Sequence, residues 1–146
     1  MRSFAPVLLR IGMSLIFIWF GISQITSQTN WVDYVPSAIT IAFNVSAATL
    51  VMANGIFEIL FGSALLLGFF TRWTAFFLAL HMFDIVYIVG FDATGVRDFG
   101  IAIGTATVWL FGSDWFSLDR LRLATTITTK KEAPTLDVNG NQEIII

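Results

Sequence analysis

Three side chains in the apolar middle of this sequence can exchange protons: Glu58, His81 and Asp84. Glu58 sits in GIFEILFGSALLLGFFTRW, residues 55–73, with Ile56 and Phe57 before it and Ile59, Leu60 and Phe61 after it. An ionised carboxylate avoids such surroundings, because losing its hydration costs several kcal/mol. Ionisable groups inside apolar spans therefore commonly mark functional sites. His81 is the sole histidine, and Asp84 follows it by three positions, a spacing that puts both on one face of a helix within reach of each other. Two acids and one imidazole at similar depth can share protons. That chemistry suits the binding of a polar head group, or proton exchange with a redox carrier such as a quinone. The plainer alternative is that the same residues pin helices together by hydrogen bonds. The set matches no metal-ligand signature, so no metal is expected.

The elements that must position these residues are membrane helices. Of the 146 residues, 56% are apolar and 12% charged, and the mean hydropathy is +0.79. Ordinary soluble domains carry about a quarter charged residues. Fifteen Phe and five Trp point the same way, and a net charge of -2 with few basic residues argues against nucleic acid as a partner. The absence of cysteine excludes disulfides and thiol relays. Four apolar segments, at about residues 6–25, 46–70, 73–91 and 99–116, each approach the ~20 residues that cross a bilayer as a helix. Arg2 before the first of them resembles a signal peptide, but Arg10 interrupts that run and three further spans follow. Seven of the eight basic residues fall on one side of a four-span arrangement and only Arg97 on the other. This bias places both termini in the cytoplasm. The expected fold is thus all-α: an integral, multi-pass four-helix bundle in the cell membrane over residues 1–122, with a polar cytoplasmic tail over 123–146. After Phe116 the chain turns polar: Ser117 could cap one or two interfacial helical turns in SLDRLRLA, and in the tail Asn139–Gly140 carries a hairpin signal, with a disordered tail as the alternative.

Helical spacing sorts the polar groups onto inward faces. Gly55, Glu58, Gly62 and Leu65 share one face of the second span, where small residues let helices approach. Arg10, Ser14, Phe17 and Gly21 share a face of the first, and Arg10 is expected to snorkel to the cytoplasmic surface. Gly100 and Gly104 form a GxxxG in the fourth, a candidate contact for a homo-oligomer. With the turn between spans two and three centred on Arg72, Glu58, His81 and Asp84 lie roughly 21, 14 and 18 Å from it, so Glu58 is expected level with Asp84. Arg97 and Asp98, a loop and helix-start pair, fall at the outer mouth. Beside them is the long first loop with Trp31 and Tyr34, which read as interfacial anchors or as the cap of a pocket.

These stretches, taken in order, resemble the DoxX family of small four-span membrane proteins. The likeness rests on LLRIGMSLIFIWFGISQI, NWVDYVP, GIFEILFGSALLLGFFTRW, RDFGIAIGTATVWLFG and FSLDR, and spans about Val7 to Arg120. The resemblance implies a four-helix membrane bundle and a link to membrane redox chemistry, since the related DoxD belongs to a thiosulfate:quinone oxidoreductase. It also implies that Glu58, Arg72 and Asp98 correspond to the family's span-two glutamate, the arginine after it and the acid opening span four.

The leading expectation is a subunit of a membrane redox system, an oxidoreductase subunit if catalytic. It would bind a quinone or similar lipophilic molecule with Glu58, His81 and Asp84 lining the pocket. Arg97, Asp98, Trp31 and Tyr34 would stand near its mouth. No redox cofactor motif is visible, so electrons would come from a partner subunit or a bound substrate. Two alternatives use the same residues: a small transporter or proton pathway, and a non-catalytic scaffold subunit.

Overall fold

A computed structural model describes residues 4–120, 135–136 and 142–143. The helices are α1 (Ala5–Thr26), α2 (Ser37–Phe43), α3 (Ala47–Leu67), α4 (Thr71–Val89) and α5 (Ala93–Phe111), with short 3₁₀ turns at Gln28–Asn30 and Val32–Tyr34. Local chemistry sets their ends. Pro6 sits in the first turn of α1, where a missing N–H removes no helical bond. Ser46 caps α3 by accepting the Thr49 N–H, and Asp92 caps α5 by accepting that of Gly95. Gly68 ends α3 in the left-handed region (φ 68°). There the Gly68 and Phe69 N–H groups donate to the carbonyls of Leu65 and Ala64, a closure that favours glycine.

Three helices, α1, α3 and α4, are long and apolar enough to cross a membrane. The fourth apolar segment forms α5, which begins about six residues earlier than its hydropathy suggests because Asp92 caps it. Arg97 and Asp98 are therefore inside a helix rather than at its start. The first loop folds as the 3₁₀ turns and α2. In the tail, Thr135–Leu136 pairs antiparallel with Gln142–Glu143, flanking the Asn139–Gly140 dipeptide as a hairpin would. The remainder of the expected tail, and SLDRLRLA beyond Arg120, lies outside the described residues.

α1 packs most closely with α3, and α4 with α5, while α3 meets α4 and α1 meets α5 more sparsely. Phe17, Phe20, Leu65, Leu78, Met82, Ile101 and Val108 form the core between them. Leu8, Leu60, Trp73, Leu80 and Leu110 point outward, as helices do when lipid is the solvent. The close α1–α3 contact depends on Gly21 and Gly55. A Cβ on Gly21 would come within 2.5 Å of the Gly55 carbonyl oxygen, and one on Gly55 within 2.8 Å of that of Gly21. Backbone cannot yield as a side chain does. Gly21→Ala is therefore expected to destabilise the protein by about 1–3 kcal/mol, read as earlier unfolding in detergent; unchanged unfolding would show that this contact is not tight.

The end of the bundle bearing the α3–α4 turn is closed by polar groups. Arg10 does not snorkel: it is 2% exposed. Its Nε donates to Asp114 Oδ2 at 2.7 Å and its Nη2 to Oδ1 at 3.3 Å. Nη1 donates to the carbonyls of Leu65 and Leu66. The guanidinium thus supplies donors to two carbonyls in the last turn of α3, that of Leu66 and that of Leu65, which also accepts the Gly68 N–H. Asp119 does the converse for α4, accepting the N–H groups of Phe70 and Thr71 and the Thr71 hydroxyl. Phe70 itself adopts the left-handed region (φ 46°), so Gly68 to Phe70 make the turn. Its centre is about three residues earlier than Arg72.

Candidate functional site

That displacement changes which groups meet. Measured from the Gly68–Phe70 turn, Glu58 and His81 each lie ~15 Å along their helices, and Asp84 ~20 Å. Glu58 is level with His81 rather than with Asp84. Accordingly, His81 Nε2 stands 3.4 Å from Glu58 Oε1, and among the described residues it has no hydrogen-bond partner. The distance is that of an ion pair with imperfect hydrogen-bond geometry. Among the described residues no hydrogen bond or ion pair joins His81 to Asp84.

Glu58 is 2% exposed and lies on the inward face of α3 with Val51, Gly55, Gly62 and Leu65, the face its spacing predicts. Two amides hold it. Gln24 Nε2 donates to Oε2 at 2.9 Å, and Asn54 Nδ2 donates to Oε1 at 3.1 Å. Asn54 Nδ2 also donates to Gln24 Oε1 at 2.8 Å, closing a ring of three side chains across α1 and α3. A buried carboxylate is tolerable where donors replace water. Here each carboxylate oxygen accepts from one amide, and the imidazole stands at ion-pair distance from Oε1. Phe57 packs on the other side of the imidazole, its ring centre 4.8 Å away.

Beyond this ring a cavity of about 540 Å³ opens toward the first loop, inside the ~300–1,000 Å³ range of small-molecule sites. His81, Asp84, Arg97, Asp98, Trp31 and Tyr34 all line it, as do Gln24, Asn54, Ser23, Asn30 and Trp19. Glu58 lies behind this wall, in contact with it through Gln24, Asn54 and His81. Trp31 turns inward: its indole N–H donates to Ser23 Oγ at 3.2 Å and its ring meets Phe20 edge-on at 5.6 Å. Arg97 Nε donates to Asp98 Oδ1 at 2.7 Å, and its guanidinium lies 5.0 Å from the Phe20 ring centre. Asp98 is 4% exposed while Arg97 stays half-open, so one wall of the cavity carries a cation with a fixed counter-ion. Asp84 also lines the cavity, from an exposed position on α4. The candidate contact through Gly100 and Gly104 does not form one surface. Gly104 faces Met13 of α1, whereas Gly100 faces open space.

The arrangement offers a chamber whose walls are mainly aliphatic and aromatic, with amides and carboxylates set among them, an imidazole whose Nε2 turns to a buried carboxylate, and a cation at the mouth. Gln24 and Asn54 escaped the sequence reading. Gln24 does fall on the Arg10–Ser14–Phe17–Gly21 face of α1, and Asn54 stands one turn before Glu58, so helical spacing from the acid was the signal that pointed to them.

No curated protein and no solved structure matches the chain. The DoxX family model matches residues 5–90. The match runs from the start of α1 to the end of α4 and so takes in Gln24, Asn54, Glu58, His81 and Asp84, ending before Arg97 and Asp98. It covers more than half of the sequence and agrees with the apolar helices: the chain belongs to the DoxX family, and it is a membrane protein.

Proposed function

We propose that this protein crosses the cell membrane four times, α5 being the fourth span, with both termini in the cytoplasm. The cavity then faces the outer side. It binds the head group of a quinone or a similar lipophilic carrier as part of a membrane redox system. The observation that supports this most is the Glu58–His81 contact at 3.4 Å, at the wall of a cavity large enough for an aromatic ring. A carbonyl oxygen of the ring would accept a hydrogen bond from the imidazole. Glu58 would orient that imidazole and balance its charge, as a carboxylate behind a histidine commonly does. Arg97 and the indole of Trp31 would bound the ring on the far side, where aromatic and cationic faces favour a planar guest. Reduction of a quinone consumes two electrons and two protons; the electrons would come from a partner subunit or a bound donor, and His81 would stand where a proton is delivered.

The full-length protein in lipid nanodiscs, titrated with a radiolabelled benzoquinone, tests the reading. Wild type is expected to bind saturably and His81→Ala about ten- to a hundredfold more weakly. Equal binding by the two, or none by wild type, would remove the assignment. Solute flux into liposomes without any electron donor would replace it with transport.

A further inference from the structure

We propose that the groove on the outer face of α3 and α4 receives the hydrocarbon tail of the molecule whose head fills the cavity, so that the ligand is a long-tailed amphiphile entering sideways from the bilayer. The proposal rests on the head-group reading above and adds the class of molecule and its route.

Two spaces share one wall. Phe57, Phe77, Leu80 and Phe83 line a groove together with His81 and Asp84, and His81 and Asp84 also line the cavity. The groove is apolar except at that shared boundary, whereas the cavity adds amides, carboxylates and a guanidinium to its aliphatic and aromatic walls. A fully polar ligand has no use for an aromatic exit, and a fully apolar one makes no use of the amide, imidazole and guanidinium groups that line the cavity. A molecule with a hydrogen-bonding head and an apolar tail matches both halves. The boundary also falls where helix packing is thin, because α3 and α4 meet more sparsely than α1 and α3 or α4 and α5. Phe77 and Leu80 are open to the surroundings, so the groove faces lipid once the helices are in a bilayer. Phe57 touches the imidazole on the groove side, which puts the tail's point of departure beside the group that holds the head.

The groove acts by shape. A hydrocarbon chain gains little on leaving lipid for a Phe-lined surface, since lipid tails are equally apolar. Filling the groove should therefore exclude a tailed ligand and spare a tail-less one.

The test uses full-length protein in nanodiscs and two radiolabelled probes with the same benzoquinone ring, one carrying a long isoprenoid tail and one carrying none. Leu80→Trp fills the groove, and Leu60→Trp places the same side chain on the lipid-facing surface of α3 away from both spaces. Leu80→Trp is expected to weaken the tailed probe at least about tenfold and to leave the tail-less probe unchanged, with Leu60→Trp altering neither. If Leu80→Trp and Leu60→Trp treat the tailed probe alike, the groove is not the tail's path, and the cavity reading still stands. If neither probe binds wild type, the cavity reading fails and the groove proposal with it. A tailed probe with a diazirine on its first isoprenoid unit gives a second measurement on wild type: labelling of Phe77, Leu80 or Phe83 supports the route, and labelling confined to α1 or α5 overturns it.

Discussion

Asp114→Ala is expected to be the most destabilising single change in the protein outside the core, at about 3–5 kcal/mol. The Arg10 guanidinium is held by both oxygens of Asp114 and by two carbonyls at the end of α3. The two side chains are 2% and 5% exposed. Removing the carboxylate leaves a cation buried without its counter-ion, and frees the Phe116 N–H that Asp114 also accepts. The effect is read as the free energy of unfolding in a denaturing-detergent titration. The double variant Arg10→Met, Asp114→Leu should recover much of the loss, because two apolar groups need no solvation. The pair lies at the turn end, whereas the cavity lies at the loop end. The folded fraction of Asp114→Ala should accordingly bind the benzoquinone probe as wild type does. A change below about 1 kcal/mol, typical of a surface pair, would mean that water reaches Arg10.

Glu58→Gln is expected to separate site from scaffold. The amide oxygen of glutamine can still accept from Gln24 or Asn54, so folding should be nearly retained. His81, however, loses its charged partner, and probe binding should weaken about ten- to a hundredfold, the worth of a hydrogen bond to a charged group. Glu58→Ala should behave differently. It strands the donors of Gln24 and Asn54 in a buried setting at about 1–3 kcal/mol for each unsatisfied group, and so lowers stability as well as binding. A scaffold role predicts the opposite pattern, in which both variants change stability in proportion and neither changes the probe's affinity in folded protein.

Much of the fold was legible because long apolar runs announce helices. Apolar runs marked α1, α3, α4 and α5, and glycine spacing assigned the buried faces of α1 and α3. What escaped was long-range. Arg10 and Asp114 are 104 residues apart, and a lone arginine in an apolar run reads as a snorkelling side chain until its partner folds onto it. Asp119 reaches back 49 residues to Phe70, a cap that no local motif encodes. The turn was misplaced because Thr71 and Arg72 are the polar residues of FFTRW, although the chain reverses at Gly68 to Phe70, where an aromatic residue is forced to positive φ. That shift of about three residues moved Glu58 from the level of Asp84 to that of His81. Within the site, the acid, the imidazole and the mouth residues were visible by type. Gln24 and Asn54 were not, since amides are common on helix surfaces and only their convergence on Glu58 distinguishes them.

The central claim is that a head group sits against His81 with Glu58 behind it. An experimental structure in lipid nanodiscs with the benzoquinone bound tests it most directly. Ring density is expected in the cavity between His81 and Trp31, with a ring oxygen within hydrogen-bond distance of the imidazole and the Glu58–His81 contact closed from 3.4 Å to about 2.8 Å. A ring bound elsewhere, or a cavity filled by side chains with His81 turned away from Glu58, would contradict it.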